Sequence, residues 1–89
     1  MDIATFEAQL KADGFQEIET KRLDPKPVNG EHGHHFGVRG LVIEGAFTVT
    51  LEGVERTYRA GEIFAVEAGQ LHFEEVGPEG AKVMVGRKH

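Results

Sequence analysis

Apolar residues change their spacing once along this chain. Over the first dozen positions Ile3, Phe6 and Leu10 recur at helical intervals, Asp2 stands where an N-cap belongs, and Gly14 follows as a stop. This predicts one amphipathic helix over 3–12. A helix that short is unstable alone and must dock on a sheet, covering an open edge or one mouth of it. From Phe15 onward the pattern is that of strands. Phe15 to Leu23 reads as a strand exposed on one side, and Asp24-Pro25-Lys26-Pro27 then breaks regular structure. The segment from Val28 to Gly33 is expected to be extended.

Beyond Gly40 the signal is all β. Leu41-Val42-Ile43 is apolar on both faces, as a covered strand would be, and a turn is expected at Glu44-Gly45. Phe47, Val49 and Leu51 alternate with Thr48 and Thr50, the period of a half-buried strand. Glu52-Gly53 predicts a hairpin turn, with Arg56 to Arg59 as the return strand. Ala60-Gly61-Glu62 turns into a short apolar strand, Ile63 to Val66. Glu67-Ala68-Gly69-Gln70 turns into the strand Leu71 to Val76. Gly77-Pro78-Glu79-Gly80 predicts a further turn, Ala81 to Val85 a last strand, and Gly86-Arg87-Lys88-His89 a polar end. Short strands with turns every eight to twelve residues or so indicate a sandwich or barrel.

Eighty-nine residues hold a single domain, 1–89, and a core so small that dimerisation is a common remedy. Fifteen acidic against ten basic residues leave a net charge of −5, which argues against a nucleic-acid partner. No apolar stretch approaches the roughly 20 residues needed to cross a bilayer. The opening MDIATFEAQLKADGF lacks a basic end followed by an apolar run, so a cytoplasmic location is the expectation. Without cysteine there are no disulfides or thiolate ligands, and any metal must be held by nitrogen or oxygen. Serine is absent as well, which removes serine-nucleophile chemistry.

The candidate chemistry sits in EHGHHFGVRGLVIEG, residues 31–45, where His32, His34 and His35 fall within four positions. In an extended chain side chains alternate, so His32 and His34 share a face, with Cα atoms roughly 6–7 Å apart. Two imidazoles aimed into one space suit one metal ion. His35 points the other way; it becomes a ligand only through a bulge. One further internal histidine, His72, lies in GEIFAVEAGQLHFEEVG, residues 61–77.

These two stretches, with their order and turns, resemble the motifs of the cupin family. His32-Gly33-His34 followed by Leu41-Val42-Ile43-Glu44-Gly45 corresponds to the first motif, and Gly61-Glu62, Ala68-Gly69 and His72 to the second. The likeness covers about two thirds of the chain, with a barrel core over 28–85. It implies an all-β fold, the cupin-type double-stranded β-helix or jelly-roll barrel, here with a short N-terminal α-helix. It also implies a metal triad of His32, His34 and His72, a small-molecule ligand or substrate, and a homodimer paired through its sheets. The chain departs from the family where a carboxylate should follow the second histidine: those places hold Gly37, Val38 and Arg39.

Imidazole nitrogen suits zinc, nickel, iron or copper, and without the carboxylate manganese is disfavoured relative to these. Glu74 is positioned to replace the missing acid. It stands two places after His72, on the same face of one strand, as a fourth ligand, a group orienting an imidazole, or a proton acceptor for a bound substrate. The opposing view makes it a solvated glutamate, since Glu75 adjoins it. Arg39 either forks onto a substrate carboxylate or forms a surface salt bridge. Tyr58 and Phe47 either line the cavity or pack the core. Two functions follow: a metal-dependent enzyme, with dioxygenase-like chemistry among the possibilities the resemblance implies, and a non-enzymatic module that holds or senses a small molecule. A metal that merely staples the barrel is the third option.

Overall fold

The short helix forms where the apolar spacing predicts it. In the computed structural model, which describes residues 1–28 and 30–89, α1 spans Ile3–Ala12. Asp2 caps it, accepting from the Thr5 backbone N–H at 2.8 Å. At the other end Gly14 takes a positive φ of 84°. The Phe15 N–H then reaches back to Leu10 O and the Gly14 N–H to Lys11 O, so the last carbonyls are not orphaned. Phe6 and Leu10 are fully buried against Leu41 and Met84, with Phe15 and Ile18 beside them. Each such side chain contributes about 1.5–3 kcal/mol by leaving water. The helix therefore lies on the outer face of the sheet; it covers neither an edge nor a mouth. The reason is that Leu41 and Met84 are register partners that point outward from the barrel and need an apolar cover.

Five strands follow: β1 (Gln16–Leu23), β2 (Gly37–Leu51), β3 (Val54–Arg59), β4 (Ile63–Val66) and β5 (Phe73–Lys88). The two long ones, β2 and β5, pair antiparallel from Gly37↔Lys88 to Thr50↔Phe73 and form the spine. One half of this spine carries β1 on β5 and β4 on β2. The other half carries β3 on β2, and the chain around Lys26 and His32 bridges to Val76 of β5 and to His72 just before it. Each long strand thus carries different neighbours along its two halves, and the one sheet folds over on itself in the jelly-roll arrangement. The extended segment expected over 28–33 includes residue 29, which lies outside the described residues.

Two expected turns are offsets inside these strands. At Glu44-Gly45 the chain does not reverse. Ile43 is an extra residue between the pairs Val42↔Val83 and Glu44↔Lys82, and β2 runs on. At Gly77-Pro78-Glu79-Gly80 four residues of β5 face Ala46 alone, between Gly45↔Ala81 and Phe47↔Val76. The turn residues bend the strand outward there, but pairing resumes on both sides. Gly45 sits at the crossing with a φ of 80°, where a Cβ would stand 2.1 Å from the Gly80 carbonyl oxygen. Three strands also exceed their expected limits: β2 starts at Gly37, β3 starts at Val54, and β5 continues through Arg87 to Lys88.

Leu41-Val42-Ile43 is covered on both faces, as its composition predicts. Leu41 lies under the helix, and Val42 belongs to the barrel interior with Phe47, Val49, Phe64, Val66, Val76, Val83 and Val85. Gly40 makes room in that interior: the nearest ring atom of Phe64 lies 2.2 Å from where its Cβ would be. Phe64 in turn packs on Phe47, ring centroids 4.8 Å apart. No helix among the described residues is long and apolar enough to cross a membrane.

Candidate metal centre

Two separated segments meet at one backbone bridge. The His32 N–H donates to His72 O at 3.0 Å and the His72 N–H to His32 O at 2.8 Å, which sets the two side chains together with ring centroids 4.3 Å apart. His34, two residues on, lies on the same side, 5.3 Å from the His32 ring and 5.4 Å from that of His72. The turn after β4 secures it, since the Gly69 N–H donates to His34 O at 2.8 Å. Glu74 enters from β5 on the face of His72, as the period of two requires. One nitrogen of each ring and one oxygen of Glu74 all lie within 4.8 Å of one another.

The hydrogen bonds fix which nitrogens face inward. His72 Nδ1 lies 3.1 Å from Gln70 O and His32 Nδ1 3.3 Å from Gly30 O. A carbonyl only accepts, so each Nδ1 carries a proton and donates. Each Nε2 then points at Glu74 Oε2, at 2.5 Å from His32 and 3.1 Å from His72. A lone pair aimed at a carboxylate oxygen is repulsive unless a cation lies between them, either protons on the rings or a metal ion. Imidazole held by Nδ1–H to a backbone carbonyl, with Nε2 free, is the usual posture of a histidine ligand. The donor set of three imidazole nitrogens and one carboxylate therefore fits a divalent transition metal.

Electrostatics agree with this posture. Burial pushes the His34 pKa below the ordinary imidazole value of 6.5, and repulsion from His72 and His32 pushes it further, so the ring is held neutral. Burial alone would raise the Glu74 carboxyl. Hydrogen bonds from His32 and His72, together with their charge, outweigh it and keep the group below 4.5, as the carboxylate. His72 is 2% exposed, the one buried polar or charged residue among the described residues. His34 stacks on Phe36 at 5.0 Å with planes 16° apart, which fixes its ring.

The other candidates fall elsewhere. His35 is exposed on a bend and outside the group. Arg39 faces away from the interior: it pairs with Asp13 and lies over the Phe15 ring at 4.5 Å, so it pins the end of α1. Phe47 lines the cavity and packs the core at once, and Tyr58 is partly buried against that core. His89, at the chain end, is half exposed and lies 2.8 Å from Glu17. Beside the centre opens a cavity of about 270 Å³, walled by His34 and Glu74, by Phe36, Phe47 and Phe64, and by Lys21, Lys26 and Arg87. The three basic residues escape a reading of the sequence. For two of them the signal is alternation: Lys21 with Leu23, and Arg87 with Val83 and Val85, put both on the inward face.

No family profile matches the sequence, and no curated protein matches it either. Solved structures do match the fold. A cupin-2 domain containing protein from Shewanella frigidimarina superimposes with a TM-score of 0.65 at 17% identity, over 94% of this chain and 92% of that one. An RmlC-like cupin from the same organism gives a TM-score of 0.67 at 23% identity, over 84% of this chain and 67% of that one. A Cupin 2 conserved barrel domain protein from Salinispora arenicola gives 0.65 at 23%, over 81% of this chain and 61% of that one. With the strand pairing above, these likenesses identify the fold: the chain has the small cupin-type fold, an all-β jelly-roll barrel with one short N-terminal helix.

Proposed function

We propose that this chain is a metal-binding cupin. In this reading His32, His34 and His72 hold a divalent transition metal, Glu74 completes the set, and the adjoining cavity binds or acts on a small polar molecule. The observation that carries it is the orientation of the inner atoms: two Nε2 atoms converge on one carboxylate oxygen, while both Nδ1 atoms are already committed to carbonyls. A metal ion at the centre, displacing protons from the rings, satisfies all of them at once. Zinc, nickel, iron and copper suit three imidazoles, and the carboxylate supplied by β5 also improves the fit for manganese.

A metal bound there would supply Lewis acidity, polarising an oxygen of the bound molecule. The remaining work falls to the chain's own side chains. Both ring contacts of Glu74 use Oε2, so Oε1 is the atom placed to accept a proton from a bound molecule. Phe36 holds the His34 ring, and Phe47 and Phe64 form an apolar wall that limits water. The experiment is elemental analysis of protein purified without an affinity tag from metal-replete cells. Near-stoichiometric transition metal, lost in His34→Ala, supports the reading. Persistent absence of metal contradicts it and leaves a metal-free ligand-binding module. Turnover by the loaded protein, also lost in His34→Ala, would distinguish an enzyme from a holder of its ligand.

A further inference from the structure

The protein carries a net charge of −5, yet the cavity beside the centre is lined by three cations, Lys21, Lys26 and Arg87, against one anion, Glu74. Two of the cations are partly engaged. Lys21 lies 3.5 Å from Glu19, and Arg87 lies 3.4 Å from Glu17 and 3.7 Å from Glu19. Lys26 is different. It is half-buried on the cavity wall, its backbone is bonded in both directions to Val76, and no carboxylate stands within 4.0 Å of it among the described residues. An ammonium on the cavity wall with no counter-charge is available to an anion that enters the cavity.

Arg87 is connected to the centre as well. Its guanidinium lies 5.4 Å from the Phe36 ring, and that ring stacks on His34. The basic wall and the histidines thus face one space of about 270 Å³, below the roughly 300–1,000 Å³ of pockets for drug-sized ligands. From this we infer that the cavity takes a small organic carboxylate, with its carboxylate on Lys26, assisted by Lys21 and Arg87, and its other polar end turned toward His34 and Glu74. The inference deepens the preceding proposal and rests on it only for the direction in which the ligand points. Charge-assisted bonds to Lys and Arg give the recognition, and the aromatic wall accepts a short carbon skeleton.

The test uses malonate as the probe and malonamide, its neutral counterpart, as the control. Both are titrated into isotope-labelled, metal-free protein and followed by amide chemical shifts, so that chelation of a metal by malonate does not enter. Saturable shifts with malonate at Lys21, Lys26, Phe36 and Arg87, absent with malonamide, are the expected result. Lys26→Met should weaken malonate about tenfold or more, the loss of one charge-assisted bond. Equal responses to the two probes, or malonate shifts confined to the outer surface, would overturn the inference. The comparison of probes on the unaltered protein requires no variant to fold. A protein that binds metal but not malonate refutes this inference alone, and one that binds malonate but no metal refutes only the preceding proposal.

Discussion

Replacing Gly40 by alanine tests whether the barrel interior is packed as described. A Cβ at this position would lie 2.2, 2.6 and 2.8 Å from three atoms of the Phe64 ring, well inside contact distance. Phe64 cannot simply retreat, because it packs on Phe47 at 4.8 Å and faces Tyr58 at 6.0 Å. Overpacking of this kind costs about 1–3 kcal/mol. An overlap this deep puts the cost in the upper half of that range, about 2–3 kcal/mol, and alanine in a strand recovers up to about 1 kcal/mol relative to glycine, so the net loss should be about 1–2 kcal/mol. For a domain of this size that lowers Tm by about 4–16 °C, at about 4–8 °C per kcal/mol. Thermal unfolding of metal-free Gly40→Ala, Phe64→Leu and the double variant forms a cycle. The double variant should be more stable than the sum of the single losses by about 1 kcal/mol, because a smaller side chain at 64 relieves the clash. An unchanged Tm for Gly40→Ala, or strictly additive losses, would refute the packing.

Three further outcomes follow from the site and its support. Glu74→Gln should lower zinc affinity about tenfold or more, measured by competition with a chromophoric chelator, and unchanged affinity would remove Glu74 from the donor set. In the metal-free protein acid should be destabilising. His34 and Glu74 both have folded pKa values below their ordinary 6.5 and 4.5, so the unfolded chain takes up protons first and stability falls as pH drops below about 6.5 and further below about 4.5. A urea midpoint that rises on acidification would contradict that sign. Arg39→Ala should cost about 1 kcal/mol, through the exposed pair with Asp13 and the contact over Phe15, and leave zinc affinity unchanged.

Much of this architecture was legible in the sequence because local rules and tertiary packing agree. The helix over 3–12 has its cap, its apolar spacing and its stop in consecutive positions, and the structure reproduces its limits. Leu41-Val42-Ile43 reads as doubly covered because an α-helix lies on one face and the barrel core on the other. The strand period put His32 with His34 and His72 with Glu74, but that the two pairs meet was legible only through the resemblance of the motifs. The two missed turns show the limit of local chemistry. Glycine and proline at 77–80 announce a bend, but only the partner strand decides whether pairing resumes beyond it. The seat of the helix was missed because a face becomes an outer face only once the sheets close. The basic wall of the cavity was hidden in the same way: Arg87 lies in a stretch that reads as a polar end, yet it extends β5 and points inward.

The central claim is that four side chains from two segments form one cation site. Anomalous diffraction at the zinc edge, from crystals of the zinc-loaded protein, tests it most directly. A single strong peak is expected about 2.0–2.2 Å from a nitrogen of His32, His34 and His72 and from a carboxylate oxygen of Glu74. A peak that omits His72, or one seated only on surface residues such as His35 or His89, would contradict it.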